Sequence, residues 1–209
     1  MKYSAYHFSE YVEQELEKLP ASVYRDKSTR EAKKLIEEYL PLSKLALLFQ
    51  RPGIEITVET TEDGCEADGI IYESGYKTDE LHIQIAHSYD YEEALRIELL
   101  NSQGFSPGSG PIRRDKKTKK IIAEYSIVDF DDYFHRLKHE VIRLFELKYN
   151  KSYEKKMVLL ISFSEVKFLG LPSWVKLYNM VSDTFNESHK RFQSVYLFNE
   201  ASNEIHRVA

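Results

Sequence analysis

Apolar and polar positions change period several times along the chain, and each change marks an element. Ile54, Ile56 and Val58 alternate with Glu55, Thr57 and Glu59. That period of two belongs to a half-buried strand. Glu62-Asp63-Gly64 supplies a turn, Ala67 to Glu73 reads as the next strand, and Ser74-Gly75 turns it. Leu81 to His87 is a third strand, with Leu81, Ile83 and Ile85 on one face and His82, Gln84 and Ala86 on the other. Three strands joined by short turns predict an antiparallel meander. Met157 to Phe163 is different, because only Ser162 interrupts its apolar run. Such a run predicts a strand covered on both faces. Ser194 to Phe198 and Glu204 to Val208 predict closing strands around a turn at Asn199 to Asn203.

Helical spacing fills the rest. Ser9 is placed to cap a turn that runs to Lys18 and stops at Pro20. Ser28-Thr29-Arg30-Glu31 has the spacing of a capping box, in which serine and glutamate satisfy the first free N–H groups of a helix. Leu35, Ile36, Tyr39 and Leu40 follow at helical spacing, and Pro41 predicts a break or kink before Leu42 to Phe49. Asp90-Tyr91-Glu92-Glu93 offers a second capping box, and Gly104 stands where a C-terminal glycine cap belongs. Phe105 to Pro111 reads as a loop and Ile112 to Ser126 as a basic-tipped hairpin. Phe134, Leu137, Val141, Leu144, Phe145 and Tyr149 recur at three and four, giving a long helix from about Asp131. Pro172 and Ser173 begin another helix, to about Phe185, with Trp174 as a core anchor. The order predicts one α/β domain over residues 28–209, with residues 1–27 as an N-terminal helical extension.

Composition narrows the class. Of 209 residues, 42% are hydrophobic and 30% charged, which suffices for a sizeable core and argues against a disordered chain. No apolar run reaches the roughly 18 residues of a membrane span, and the start carries no apolar signal core. Together with the single cysteine, Cys65, this places the expectation on an intracellular, cytoplasmic protein without a disulfide framework. The net charge of −5 conceals two opposed segments. From Ser106 to Lys120 six bases stand against one acid, whereas from Ile54 to Asp90 ten acids stand against one base. A mildly acidic average therefore excludes a coat-like nucleic-acid binder but not a local phosphate-facing site.

The order of helix, three-strand meander, helix and further strand resembles the PD-(D/E)xK nuclease-like superfamily over about residues 28 to 165. The resemblance implies a restriction-endonuclease-like core, a mixed sheet flanked by helices. It also implies an aspartate on the second strand and a carboxylate-x-lysine on the third. In that family the carboxylates hold a divalent cation and the lysine helps position or activate the attacking water. Asp68 matches the aspartate in placement, and Glu37 or Glu38 matches an accessory acid on the preceding helix. The third strand departs, reading Gln84-Ile85-Ala86. Gln84 offers a neutral oxygen, so Asp68 and Gln84 are the metal candidates, for Mg or Mn. Ala86 offers no ammonium, and Arg96 or Lys148 would have to supply one.

Other chemistry is thinner. His135 and His139 lie at i and i+4, a spacing that binds zinc, but Arg136 stands where a metalloprotease has its glutamate base. His82 shares a strand face with Gln84 and could join Asp68 as ligand or base; His87 flanks the same strand. Cys65 sits among acids, which suppress a thiolate. The loop from Ser106 to Pro111 is neither a Walker loop nor a dinucleotide fingerprint. Beside it, Arg113, Arg114, Lys116 and Lys117 are placed to track phosphates. Tyr72, Tyr76, Tyr89 and Tyr91 gather around the meander and suit base stacking or a partner interface. The expectation is therefore a nuclease-like domain with a degenerate site built on Asp68, Gln84 and Glu38. It would bind nucleic acid or a protein partner. The alternative is an active Mg- or Mn-dependent nuclease.

Overall fold

A computed structural model of the chain describes residues 2–75, 78–88, 91–107, 110–124, 129–165, 170–186 and 188–209. The chain opens with an edge strand, β1 (Lys2–Ser4), and runs directly into α1 (Ala5–Lys18). Ser4 caps that helix, its Oγ accepting the His7 N–H at 3.3 Å, while Ser9, the expected cap, lies buried within it. The short α2 (Ala21–Asp26) precedes α3 (Arg30–Lys34). Thr29 rather than Ser28 caps α3, accepting the Ala32 N–H at 3.1 Å. Threonine caps through the same hydroxyl chemistry as serine, so one residue of slippage keeps the cap.

Between α3 and α4 (Leu40–Phe49) the helix does not break at Pro41. It widens into a π-helical turn, Leu35–Tyr39, in which the Leu40 N–H bonds the Leu35 carbonyl five residues back. Proline lacks a donor and crowds the carbonyl four residues before it, here Glu37; a wider turn gives that crowding room. The π turn carries Glu37 and Glu38.

The meander is as expected: β2 (Glu55–Thr60), β3 (Gly69–Ser74) and β4 (Thr78–His87) pair antiparallel in sequence. After β4 come α5 (Tyr91–Gln103) and the separate hairpin β5 (Ile112–Arg114) and β6 (Ile121–Ala123). Gly104, at φ +73°, ends α5 as its position suggests. The expected α5 capping residue Asp90 lies outside the described residues, as do Tyr76, Tyr89, Gly108 and Ser109. Then follow α6 (Phe130–Tyr149), β7 (Met157–Phe163), α7 (Gly170–Phe185), β8 (Phe192–Asn199) and β9 (Glu204–Arg207).

The seven-stranded sheet has the order β1-β2-β3-β4-β7-β8-β9. Its centre, β4, β7 and β8, is parallel, and both ends are antiparallel. Parallel neighbours require crossovers, which α5 with α6, and then α7, provide. Every residue of β7 is buried. Val158 and Leu160 pack with Phe8, Leu42, Leu45 and Ile83 beneath α1 and α4. Met157, Leu159, Ile161 and Phe163 pack with Phe134, Val141, Trp174 and Leu177 beneath α6 and α7. Trp174 is the anchor its sequence position suggests, and its Nε1–H donates to Glu204 Oε2 at 2.8 Å. The molecule is thus a mixed α/β fold with helices on both sheet faces. No helix among the described residues is long and apolar enough to cross a membrane.

Residues 2–27 take part in this architecture. β1 extends the sheet beyond β2, and Ala5, Phe8 and Val12 of α1 are fully buried against the core. Phe8→Ala should therefore lower the unfolding free energy by about 3–5 kcal/mol. Denaturant titration should show one shifted transition; an unchanged main transition would make this segment an appendage.

Candidate functional site

The site forms where β3 leaves β4. Their pairing ends at Gly69 opposite Ile83, but β4 continues to His87. The Asp68 N–H still bonds the Ile83 carbonyl, at 2.8 Å. One step further the ladder would need a carbonyl for the Ile85 N–H. The Asp68 carboxylate supplies it instead, Oδ2 accepting that N–H at 2.6 Å. A buried backbone donor is thereby satisfied and the carboxylate is fixed in direction. Gln84 Nε2–H also donates to Oδ2. Oδ1 takes no hydrogen bond among the described residues.

Neighbouring segments hold this notch. Thr61 Oγ1–H donates to the Ala67 carbonyl at 2.6 Å, and Lys34 Nζ bonds Asp63 at 2.9 Å. Gly69 has Leu42 against it so closely that an added Cβ would collide with Leu42 Cδ2. On the other side, the Glu154 N–H donates to Glu66 Oε2 at 3.2 Å, tying the turn after α6 to the loop before β3.

Glu38 from the π turn and Lys148 from the end of α6 act electrostatically on this carboxylate. Burial pushes the Asp68 carboxyl above the usual carboxylate range, although the Ile85 N–H, Lys148, Gln84 and Lys151 pull it down. Burial raises Glu38 too, and the Asp68 charge adds to it. Burial lowers Lys148, against the pull of Asp68 and Glu38. These are three half-buried charges that act on one another, the pattern expected of a working site. Three of the sequence-derived candidates, Asp68, Gln84 and Glu38, thus come together. Of the two basic candidates, Lys148 acts on Asp68 and Glu38, whereas Arg96 does not.

The other candidates lie elsewhere. Arg96 donates to the Gly110 carbonyl and pairs with Glu92 at 3.5 Å. His82 contacts Glu80 at 2.6 Å and Lys155 at 3.0 Å. His135 and His139 are exposed on α6, and Cys65 is an exposed free thiol. Tyr72 donates to Glu59 at 2.7 Å and Lys2 Nζ lies over its ring, 4.0 Å from the centroid, while Tyr91 is exposed. In the hairpin, Arg113, Lys116, Lys117, Lys119 and Lys120 are exposed around a turn that Asp115 organises by accepting the Lys117 and Thr118 N–H groups. Arg114 is not free with them, because Glu98 on α5 pairs with its guanidinium.

Glu37, next to Glu38, faces a second polar cluster that sequence reasoning did not find. Lys27 Nζ lies 3.3 Å from Glu37 and 2.7 Å from His87 Nε2. His87 Nδ1 lies 3.1 Å from Glu200 Oε1, which also accepts the Ser162 hydroxyl at 2.7 Å. Lys27 takes the left-handed conformation, φ 48°, to reach this position. His87, Ser162 and Glu200 come from the carboxyl ends of β4, β7 and β8, and only the tertiary structure aligns them. No spacing in the sequence connects residues so far apart. Burial alone would raise Glu200, yet His87, Ser162 and Lys27 hold its carboxyl below the usual range.

The metal question reduces to oxygen donors. Among the described residues no group of three His, Cys, Asp or Glu side chains could hold an ion. Asp68 and Glu38 offer two carboxylates, whereas Gln84 turns its amide nitrogen to Asp68 rather than the oxygen expected of a ligand. Magnesium is commonly held by one or two carboxylates with water completing its shell, so this set fits a hard divalent cation. The cation would also relieve the repulsion between the two acids.

The two adjacent glutamates' clusters predict opposite mutational signs. Glu38 is raised when folded, so its ionised form costs stability above that pKa and nothing below the unfolded value. Glu38→Gln should raise the melting temperature at neutral pH, and the gain should vanish as the pH falls through the carboxylate range. Glu200 is depressed, so its contribution is present above the unfolded pKa and lost as pH falls through the folded one. Glu200→Gln should cost about 3 kcal/mol at neutral pH by stranding buried partners, with the cost fading in strong acid. Thermal melts of both variants across pH check the signs.

No protein-family model, curated protein or solved structure matches the chain, so the site is read from its own geometry.

Proposed function

We propose that the chain is a divalent-metal-dependent phosphodiester hydrolase with a restriction-endonuclease-like core. What supports the reading is the Asp68 carboxylate, held at the notch by the Ile85 N–H at 2.6 Å and by Gln84, with Glu38 and Lys148 acting on it. Asp68 and Glu38 would hold Mg or Mn, with water completing the shell. Such a cation supplies Lewis-acid stabilisation of phosphoryl oxygens and a more acidic water.

The chain's own residues do the rest. The Ile85 N–H and Gln84 keep the Asp68 carboxylate in one orientation, so no reorganisation is needed when substrate arrives. Lys148 places a partly desolvated ammonium beside the carboxylates, where negative charge develops during phosphodiester displacement. In low dielectric that ammonium acts more strongly than it would in water. The exposed bases Arg113, Lys116 and Lys117 of the β5–β6 hairpin supply a sequence-independent attraction for a polyanionic backbone.

One observation favours a second reading, a domain that binds nucleic acid or protein without cleaving it. Lys148 can itself neutralise one of the two carboxylates, which would leave the site complete without a cation.

Incubation of the pure protein with plasmid, single-stranded DNA and RNA in the presence of Mg or Mn separates the two. The hydrolase reading expects cleavage, with Asp68→Asn inactive and Lys148→Met slower by about 100- to 1000-fold, the usual loss for a charge-stabilising donor. Salt-dependent binding without cleavage under every condition would favour the binding domain. In either case Lys116→Ala with Lys117→Ala should flatten the salt dependence of nucleic-acid binding, by about 0.9 in logarithmic slope for each duplex phosphate that the lysines no longer neutralise. An unchanged slope would take the hairpin out of the interface.

A further inference from the structure

Strand β9 closes one end of the sheet, and among the described residues no strand pairs with its outer edge. The ladder with β8 fixes which backbone groups face that edge. The Val195 N–H bonds the Ala209 carbonyl, and the Val208 N–H bonds the Val195 carbonyl, both at 2.9 Å. Val195 therefore turns its backbone groups toward the β9 side. In an antiparallel ladder every second residue does the same, so Leu197 and Asn199 bond toward their partners His206 and Glu204. Ile205 and Arg207 then direct their N–H and C=O groups outward. A row of such groups is a template for a further strand.

Helix α7 stands over this edge. Trp174 reaches β9 twice, through its bond to Glu204 and through its ring, 4.2 Å from that of His206. On the other flank of α7, Lys176 pairs with Asp131 of α6 and lies over the Phe134 ring, 4.7 Å from its centroid. Successive helix residues turn by about 100°, so Leu171, Val175 and Tyr178 fall on the flank beyond Trp174, away from α6. These three are 69%, 51% and 48% exposed. Single exposed apolar residues are ordinary, whereas three on successive turns of one flank form a patch. The charged residues of α7 are Lys176 and Asp183, and both lie off this flank. From Leu171 to Tyr178 the stripe runs about 11 Å, and the four residues of β9 run about 13 Å. Strand edge and helix flank thus make one surface of matched length.

We propose that this surface joins two copies of the chain about a two-fold axis, with β9 pairing antiparallel to its counterpart and the two α7 stripes packing together. An axis perpendicular to the sheet keeps both α7 helices on the same face. Pairing centred on Ile205 sets Glu204 opposite His206 of the partner subunit, and the two-fold repeats that contact, so a carboxylate meets an imidazole and not its own kind. The two helices run antiparallel, Leu171 of each beside Tyr178 of the other, and Val175 meets its counterpart. A two-fold contact must be self-complementary in this way. The chain carries a net charge of −5, so two copies repel unless the centre of their contact is uncharged. Leu171, Val175, Tyr178 and Ile205 meet that condition, and charge depletion is what marks the core of an interface. The inference does not rest on the hydrolase reading, because the Asp68 notch lies on the far side of β7 and β8.

Sedimentation equilibrium of the full chain over a concentration series tests the contact. The wild type should rise reversibly from 24.6 kDa to twice that mass. Val175→Glu sets like charges against each other at the two-fold and should weaken the dimer by about tenfold or more. Arg207→Pro removes an outward N–H and no bond to β8, and should weaken it by a similar factor. Both positions are exposed, so both variants should fold, which circular dichroism checks. Hydrogen exchange in the β9 segment should be slow in the concentrated wild type and fast on dilution. A wild type that keeps the monomer mass at every concentration overturns the inference. A dimer that either variant leaves intact does so too, as does β9 exchange that ignores dilution. Capture of an extended peptide along β9 by a chain that stays monomeric would give the edge to a different partner and likewise overturn it.

Discussion

Strand β7 has no face turned to water, and the rest of the architecture follows from that. A strand buried on both sides needs a helical layer on each, and parallel neighbours need long crossovers to reach them. The side chains of β7 divide accordingly, Val158 and Leu160 toward α1 and α4, Leu159 and Ile161 toward α6 and α7. The two helical layers approach the sheet from opposite faces. Residues of both layers act on one another at the notch where β3 departs from β4. Glu38 belongs to the helical run that ends in α4, and Lys148 belongs to α6. Asp68 lies between them because the Ile85 N–H needs an acceptor there.

The π turn before Pro41 has a consequence for charge. Glu37 and Glu38 are neighbours in sequence but not in environment. Glu37 meets Lys27 and the His87–Glu200 pair, where opposite charges and a serine hydroxyl compensate the loss of water. Glu38 meets Asp68, a like charge, with Lys148 as partial compensation. A buried charge is tolerable when paired and costly when set against its own sign. One cluster therefore contributes to folding, whereas the other is a place where the fold carries repulsion that a bound cation can relieve.

Much of the fold was legible in the sequence because periodicity reports burial directly. The meander, the doubly covered strand, the long α6 and the closing hairpin all follow from which positions avoid water. Caps were legible to within a few residues, since Ser4 replaced Ser9 and Thr29 replaced Ser28 through equivalent hydrogen-bond chemistry. The role of the first 27 residues was less so. A three-residue edge strand carries too little pattern to separate it from a helical lead-in. Pro41 was legible as a disturbance, but whether a proline breaks, kinks or widens a helix depends on what packs around it.

The site divides along the same line. Asp68 could be placed because its position at the start of a meander strand is a local fact, and Gln84 because it lies opposite on the next strand. Glu38 could be named only beside Glu37, since the π turn decides which of two adjacent acids faces which cluster. Lys148 was one of two candidates, and the choice between it and Arg96 rested on where a helix end lies relative to a loop before another strand. Lys27 and Glu200 left no signal, because a lone side chain has no period. What the sequence by itself determined is the set of faces that must be buried, which is a property of neighbouring residues. Which distant charges then share one low-dielectric space was decided by the tertiary structure, because electrostatic coupling depends on separation and on the exclusion of water, and neither is written along the chain.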